Sequence, residues 1–348
     1  MKVLSNLKIL QRCVAGNRLG MPIGRYLAWG AALALTMTSS PSAAQVAKAA
    51  PNAQTSKTRV ITLGTGAGPF PRVKRAKSSN ALQVNGRTFL IDAGDGMLMR
   101  MAAAGIRIGD PEAVFLTHMH LDHTAALPTL LGLRVMTSVT KPIDIYGPYG
   151  ITRLVNGYLD GLEGFEASRS APSGFDPRSL PRVHEFSESG LLYSDQDVKV
   201  YASENAHYNE LLPGSRAKSF SFRFETADRT VVFSGDTGPS DSLVKFATGV
   251  DLLVVEVSDP NSAKERLLRN NPDMSPEAVA VAMDHILRDH LSPEQVGQLA
   301  SAAKVKAVVL SHIGPGNDND PDPFAMYVEG VQRFYSGPVT LASDLDTF

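Results

Sequence analysis

The sequence predicts an α/β sandwich: two β-sheets face to face with helices outside them. Three observations carry this expectation. Strand-like runs come first as a hairpin and then alternate with helical segments, in two broadly similar halves. Two late helices carry explicit start signals. No repeat of ~20–50 residues is visible, which argues against a solenoid.

The elements follow in order. Arg59-Val-Ile-Thr-Leu63 is a β-rich run that ends in Gly64-Thr-Gly-Ala-Gly68-Pro69, a strand and its turn. Asn80–Asn85 and Arg87–Ile91 flank Asn85-Gly86, the strongest short hairpin signal. Gly96–Ala104 reads as a helix. Ala113-Val-Phe-Leu116 is a short buried strand that runs straight into a His-rich turn, and Ile143–Tyr146 is another, stopped by Gly147-Pro148. Residues 156–182 lack periodicity and read as an excursion. Val198–Tyr201, Ser219–Glu225 and Thr230–Phe233 are strands; Asp251–Glu256 and Lys306–Leu310 are buried ones. Between these last two, Ser275-Pro276-Glu277 and Ser292-Pro293-Glu294 each place an N-cap Ser, a Pro at the first helical position and an acid at the positive helix end.

The N-terminus is unlike the rest. Lys2, Lys8, Arg12, Arg18 and Arg25 precede the apolar run Tyr26–Met37 and the small residues up to Ala44, with no acid among them. Basic, then apolar, then small is the order of an export leader, and the apolar run is shorter than the ~20 residues a membrane span needs. Residues 1–44 are therefore expected to be a cleaved signal peptide, with Met21 as the true start. Residues 45–57 are expected to be a flexible lead-in, 58–348 the folded domain, and the location periplasmic or secreted.

The whole chain has 348 residues, 34 Lys+Arg, 35 Asp+Glu and one Cys. Without its leader it keeps 29 basic against 35 acidic residues, a net of −6, and loses Cys13. A Cys-free chain holds no disulfide and no Cys-based zinc site. An acidic chain is not expected to bind nucleic acid through a general basic surface.

Chemistry concentrates in Thr117-His118-Met-His120-Leu-Asp122-His123, directly after a buried strand. A turn at a strand end can converge such side chains on one point. Nitrogen and carboxylate ligands without Cys suit zinc or a similar borderline metal. The Gly64-x-Gly-x-Gly68 run lacks the Lys-Ser/Thr of a P-loop and the full dinucleotide pattern, and no Gly-x-Ser-x-Gly elbow is present.

His118-x-His120-x-Asp122-His123 resembles the signature of the metallo-β-lactamase superfamily. Phe89-Leu-Ile-Asp92-Ala-Gly94, Phe233-Ser-Gly-Asp236-Thr237 and Leu310-Ser-His312 resemble its later landmarks, so the likeness spans about residues 58–348. The Gly-rich turn and Ser219-Phe-Ser-Phe-Arg-Phe224 point to its ribonuclease Z and arylsulfatase-like branch. The resemblance implies a four-layer αββα sandwich and two Zn2+ ions, with Mn2+ or Fe2+ as alternatives. By the resemblance, His118, His120 and His207 bind one ion; Asp122, His123 and His312 bind the other. Asp236 bridges them and fixes the attacking hydroxide, while Asp92 and Thr117 orient histidines.

His290 falls where ribonuclease Z relatives carry a histidine that acts on the leaving group. Glu256 falls at the acid of their His-Glu pair, but Val255 precedes it and the pair reads as incomplete. His184 and His285 have no motif and read as structural or surface residues.

The expected function is an exported dinuclear zinc hydrolase that cleaves a small ester, foremost an aryl sulfate or phosphate ester. Loops 156–190 and 259–290 are expected to wall the pocket, with Tyr158, Phe165, Phe175 and Tyr208 as candidate ring partners. Hydrolysis at carbon (lactone, β-lactam, dehalogenation) and a metal-containing binding protein are the alternatives. The expected partners are a small ester and a second copy in a homodimer, with no nucleic acid and no stable membrane association after leader cleavage. The acidic balance and the short span between His207 and Ser219 argue for excluding nucleic acid.

Overall fold

The computed structural model describes residues 58–162, 175–209, 213–314 and 325–348. The expected export leader, Met21 start and flexible lead-in, and Phe165, lie outside the described residues. Among the described residues no helix is long and apolar enough to cross a membrane.

The first sheet has six strands in sequence order: β1 (Thr58–Gly64), β2 (Ser79–Val84), β3 (Arg87–Ile91), β4 (Pro111–Phe115), β5 (Ile143–Gly147) and β6 (Pro181–Glu185). The hairpin is where Asn85-Gly86 predicts it. Both residues take positive φ, 50° and 82°, which a two-residue hairpin turn of the primed type requires, and Val84 pairs with Arg87. β1 to β3 are antiparallel; β3 to β6 run parallel.

The second sheet repeats the scheme with β7 (Gly190–Ser194), β8 (Val198–Glu204), β9 (Phe220–Thr226), β10 (Thr230–Phe233), β11 (Leu252–Val257), β12 (Val308–Ile313) and β13 (Val339–Leu341). Its first four strands are antiparallel and its last four parallel. β11 and β12 are buried at every residue, as parallel strands covered on both faces must be.

Phe89, Phe115, Phe222 and Phe224 fill the space between the sheets, with Phe115 edge-on to Phe224 at 5.3 Å and stacked on Tyr146 at 4.8 Å. Outside the first sheet lie α1 (Met97–Ala103), the single turn α2 (Leu121–Thr124), α3 (Ala126–Met136) and α4 (Ile151–Gly161). Outside the second lie α5 (Asp241–Phe246), α8 (Pro293–Ala303) and α9 (Ala325–Gln332), with α6 (Pro260–Asn270) and α7 (Pro276–Asp289) standing as a hairpin apart from that core. The four layers match the predicted sandwich. Ser275 and Ser292 cap α7 and α8 as expected, each accepting from the backbone N–H three residues on.

The excursion of residues 156–182 is partly regular. α4 runs to Gly161, its period hidden by Gly157 and Gly161, and β6 is a largely exposed edge strand without an apolar face to announce it. Tyr158 and Phe175 pack against the core outside the first sheet, so they are not ring partners for a substrate.

One ion cluster ties the two sheets. Arg87 of β3 donates to Asp195 at 2.6 Å, to Tyr193 Oη at 2.8 Å and to Glu112 at 2.8 Å. Against partial burial, the Tyr193 hydroxyl, the backbone N–H groups of Asp197 and Val198 and Arg87 hold the Asp195 carboxyl down at about 2, from 3.8. A depressed carboxyl contributes stability above its unfolded pKa and loses it as pH falls through the folded one. Asp195→Asn is expected to cost about 1 kcal/mol at pH 7, a figure discounted for the 26% exposure of the side chain. Urea midpoints of variant and wild type should converge between pH 4 and about 2. Equal midpoints at pH 7 would contradict the assignment.

Candidate metal centre

The carboxyl ends of strands meet at one edge of the sandwich, the place where α/β sheets collect ligands. β3 delivers Asp92, β4 delivers Thr117 and His118, β10 delivers Asp236, β11 delivers Glu256 and β12 delivers His312. After β4 the chain turns through His120, which precedes the first residue of α2, and that single helical turn carries Asp122 and His123. His207 lies in the connection after β8. Asp92 and His312 sit in the left-handed region, at φ 61° and 45°, where a non-glycine residue is uncommon. Such strain at strand ends is typical of functional positions.

Three groups of ligand atoms form. His118, His120, His207 and Asp236 have atoms all within 4.8 Å of one another; so do Asp122, His123 and His312, and so do Asp236, His290 and His312. One Asp236 oxygen lies 3.2 Å from His312 Nε2 and 3.8 Å from His118 Nε2, while the other lies 3.3 Å from His123 Nε2. Asp236 therefore faces both sets.

The far sides of three of the rings are held. His123 Nδ1 meets Asp92 at 2.8 Å, and Asp92 also accepts from the Thr117 N–H and hydroxyl. His207 Nδ1 donates to the Asp289 carbonyl at 3.0 Å, and His118 Nδ1 meets Thr117 Oγ1 at 3.1 Å. Holding Nδ1 fixes the ring and leaves Nε2 facing inward.

The electrostatics of this cluster fit divalent cations. Burial pushes His118 well below its usual range, and His207 down to about 3, so both are neutral and available as ligands. Against burial, Asp236, Asp92 and Asp122 raise His123 well above its range. Against burial, His312 and His123 depress Asp236. Without cations, a proton on His123 balances the buried carboxylates; a divalent ion is the alternative charge. His118 Nε2 is buried and without a hydrogen-bond partner, an arrangement that is costly unless something else is bound.

His290 stands beside the cluster with Nδ1 2.7 Å from Glu256 Oε2. The incomplete pair read from the sequence is corrected here. The partner of Glu256 comes from the end of α7, 34 residues on, so Val255 is irrelevant to it. Glu256 is buried, and the Thr237 N–H holds its other oxygen. Burial pushes the Glu256 carboxyl up. Against its own burial, Glu256 raises His290 to about 9.

A cavity of about 610 Å³ opens over the cluster, lined by His120, Asp122, Asp236, His290 and His312 and by residues of α6 and α7. The expected wall at 259–290 is present, and among the described residues none of the expected wall at 156–190 lines it. The sequence reading missed Lys77, Arg266 and His285, all on the lining. Lys77 Nζ donates to the Ala67 and Phe70 carbonyls and clasps the Gly-rich turn beside the site. Burial lowers its pKa to about 8. Asp344 holds the same turn from the chain end, accepting from the Thr65 N–H and the Ala76 N–H. His285 bonds Asp289 at 2.7 Å, an i,i+4 pair on α7 that its sequence spacing signals. His184 is the surface residue expected, paired with Asp144.

Residues 87–313 match the family described as the beta-lactamase superfamily domain. The chain belongs to that superfamily. Its metallo-β-lactamase fold and its relatives make it a metal-dependent hydrolase with a His/Asp cluster for divalent metal. It is 32% identical over 269 residues to a protein named Ribonuclease Z from Mycobacterium sp. (strain KMS), covering 75% of this chain and 87% of the relative.

Among solved structures it resembles the metallo-beta-lactamase fold protein YhfI from Bacillus subtilis, with TM-score 0.60 and 18% identity over 84% of this chain and 98% of that one. It also resembles human tRNase Z, short form, with TM-score 0.56 and 24% identity over 83% and 98%. These two likenesses show the fold.

The ribonuclease Z relatives overturn the expectation that nucleic acid is excluded. That expectation rested on the short span between His207 and Ser219 and on net charge, a sum over the whole surface, whereas phosphate contacts are local. Local cations are present. Arg216 lies 4.0 Å over the Tyr149 ring, and both, with Lys218, line a cavity of about 250 Å³ that also takes in Met119, between His118 and His120, and Tyr208, next to His207.

Proposed function

We propose that this chain is a dinuclear-metal phosphodiesterase. The observation that carries the reading is the His290–Glu256 pair, set beside two ligand groups that share Asp236. Ester hydrolysis at phosphorus needs a nucleophile, charge neutralisation and a proton for the leaving oxygen. His118, His120 and His207 would hold one ion, Asp122, His123 and His312 the other, and Asp236 both. Divalent ions supply Lewis acidity and an activated water when bound, and Zn2+ is the ion the donor set favours. Asp92 and Thr117 orient the histidines. His290, raised by Glu256, is protonated at neutral pH and serves as the acid. The name of the relatives makes RNA the first macromolecular substrate to test.

The test measures metal content, then turnover of a short RNA carrying a 3′ extension, bis(p-nitrophenyl) phosphate and p-nitrophenyl sulfate. Diester cleavage dependent on about two ions per chain is expected. Sulfate turnover without diester turnover would replace this reading with the aryl sulfate ester of the sequence reading. Export is proposed separately, on the residue order of 1–44, and cell fractionation with N-terminal sequencing tests it; a full-length chain confined to the cytoplasm would refute it.

Gly68 offers a further check on Asp122 as a ligand. A Cβ there would lie 2.4 Å from Asp122 Oδ2. Gly68→Ala is therefore expected to displace the carboxylate and weaken the second ion by about 10–100-fold, as changes just outside a metal's ligands do. Titration against a chromophoric chelator reads this directly, and unchanged affinity would remove Asp122 from the ligand set.

A further inference from the structure

The α6–α7 hairpin is built unlike the other helices. Of its residues only Ala263 and Asp289 are buried. Leu268, Val281 and Leu287 face solvent. Its inner side, with Leu267, Ala282 and Ile286, faces the cavity over the ligand cluster instead of a core. Phe70 and Leu121 line the same cavity. Apolar side chains lining a cavity of about 610 Å³ leave hydrophobic surface that a ligand would cover.

The hairpin is also wired to the chemistry. α7 ends at Asp289, whose carbonyl holds His207 Nδ1 and whose carboxylate accepts from Asn209 at 2.8 Å. His290 is the next residue. Ile286 lies about one helical turn before His290, so a group packed on Ile286 lies on the side where a leaving oxygen takes its proton.

We propose that the substrate carries a compact apolar group, of the size of an aromatic ring, next to its leaving oxygen, and that this group seats against the inner face of the α6–α7 hairpin. The proposal rests on the phosphodiesterase reading and names its substrate class. Leu267 and Ile286 are the specificity-determining residues, and Leu268 and Val281, on the outer side, are their controls.

Calorimetric binding of benzylphosphonate and methylphosphonate to the metal-loaded protein tests it, with bis(p-nitrophenyl) phosphate turnover in parallel. Burying a ring is expected to make benzylphosphonate bind at least about tenfold tighter. Leu267→Gln or Ile286→Gln should shrink that preference to about threefold or less with methylphosphonate binding unchanged, and Leu268→Gln and Val281→Gln should keep it. Equal binding of the two by wild type, or a preference surviving both inner variants, overturns the apolar wall even if the diester is cleaved. A preserved ring preference with no diester turnover overturns the phosphodiesterase reading and leaves the wall standing.

Discussion

Asp236→Asn is expected to lower diester turnover by at least about 10³-fold and to strip bound metal while the chain stays folded. Among the described carboxylates Asp236 alone faces both ligand groups, with one oxygen toward His118 and His312 and the other toward His123. Charge stabilisation by bound ions amounts to several kcal/mol at the reacting centre, and each 1.36 kcal/mol is tenfold in rate, so losing it costs about three decades or more. The amide keeps the volume of the side chain in a fully buried site, so packing is spared.

Metal content by elemental analysis separates this loss from simple unfolding. So does thermal stability, since an ion that binds only the folded state raises the midpoint. Wild type should gain stability on adding Zn2+ and the variant should gain little. A variant that keeps two ions and full turnover would refute the shared role of Asp236.

Much of this site is legible in the sequence because strand ends are. His118, Asp236 and His312 each follow a run whose apolar content announces a buried strand, so their convergence at one sheet edge follows from topology. The Asn85-Gly86 hairpin and the Ser-Pro-Glu helix starts are legible for the same reason, since local chemistry decides them.

What was not legible depends on distance along the chain. The Glu256–His290 pair joins the end of β11 to the end of α7, across a hairpin that follows no strict pattern. Lys77 looks like a loop cation until its ammonium is seen closing the Gly-rich turn. Net charge misled about nucleic acid because it sums the whole surface, whereas Arg216 and Lys218 lie together beside one cavity. Tyr158 and Phe175 were ambiguous because an aromatic ring suits a core as well as a pocket.

His290→Asn is expected to separate substrates by their leaving groups. Turnover with an alkoxide leaving group should fall about 10²–10⁴-fold, the usual worth of a placed acid, whereas p-nitrophenolate leaves without a proton and should lose little. Equal losses for both would remove the acid role and leave His290 a merely structural partner of Glu256.

The pH profile carries the same assignment independently. Glu256 raises His290 to about 9, so the ring keeps its proton through neutrality and loses it as pH rises. The alkaline limb for poor leaving groups is therefore expected no higher than about pH 9, because bound divalent charge favours the neutral ring. Glu256→Gln replaces the anion with a neutral amide and should move that limb to lower pH while leaving p-nitrophenyl ester turnover nearly level. The direction is fixed by the sign of the interaction: a carboxylate stabilises imidazolium, and removing it can only ease deprotonation. A limb that stays in place in Glu256→Gln would mean that another group supplies the proton.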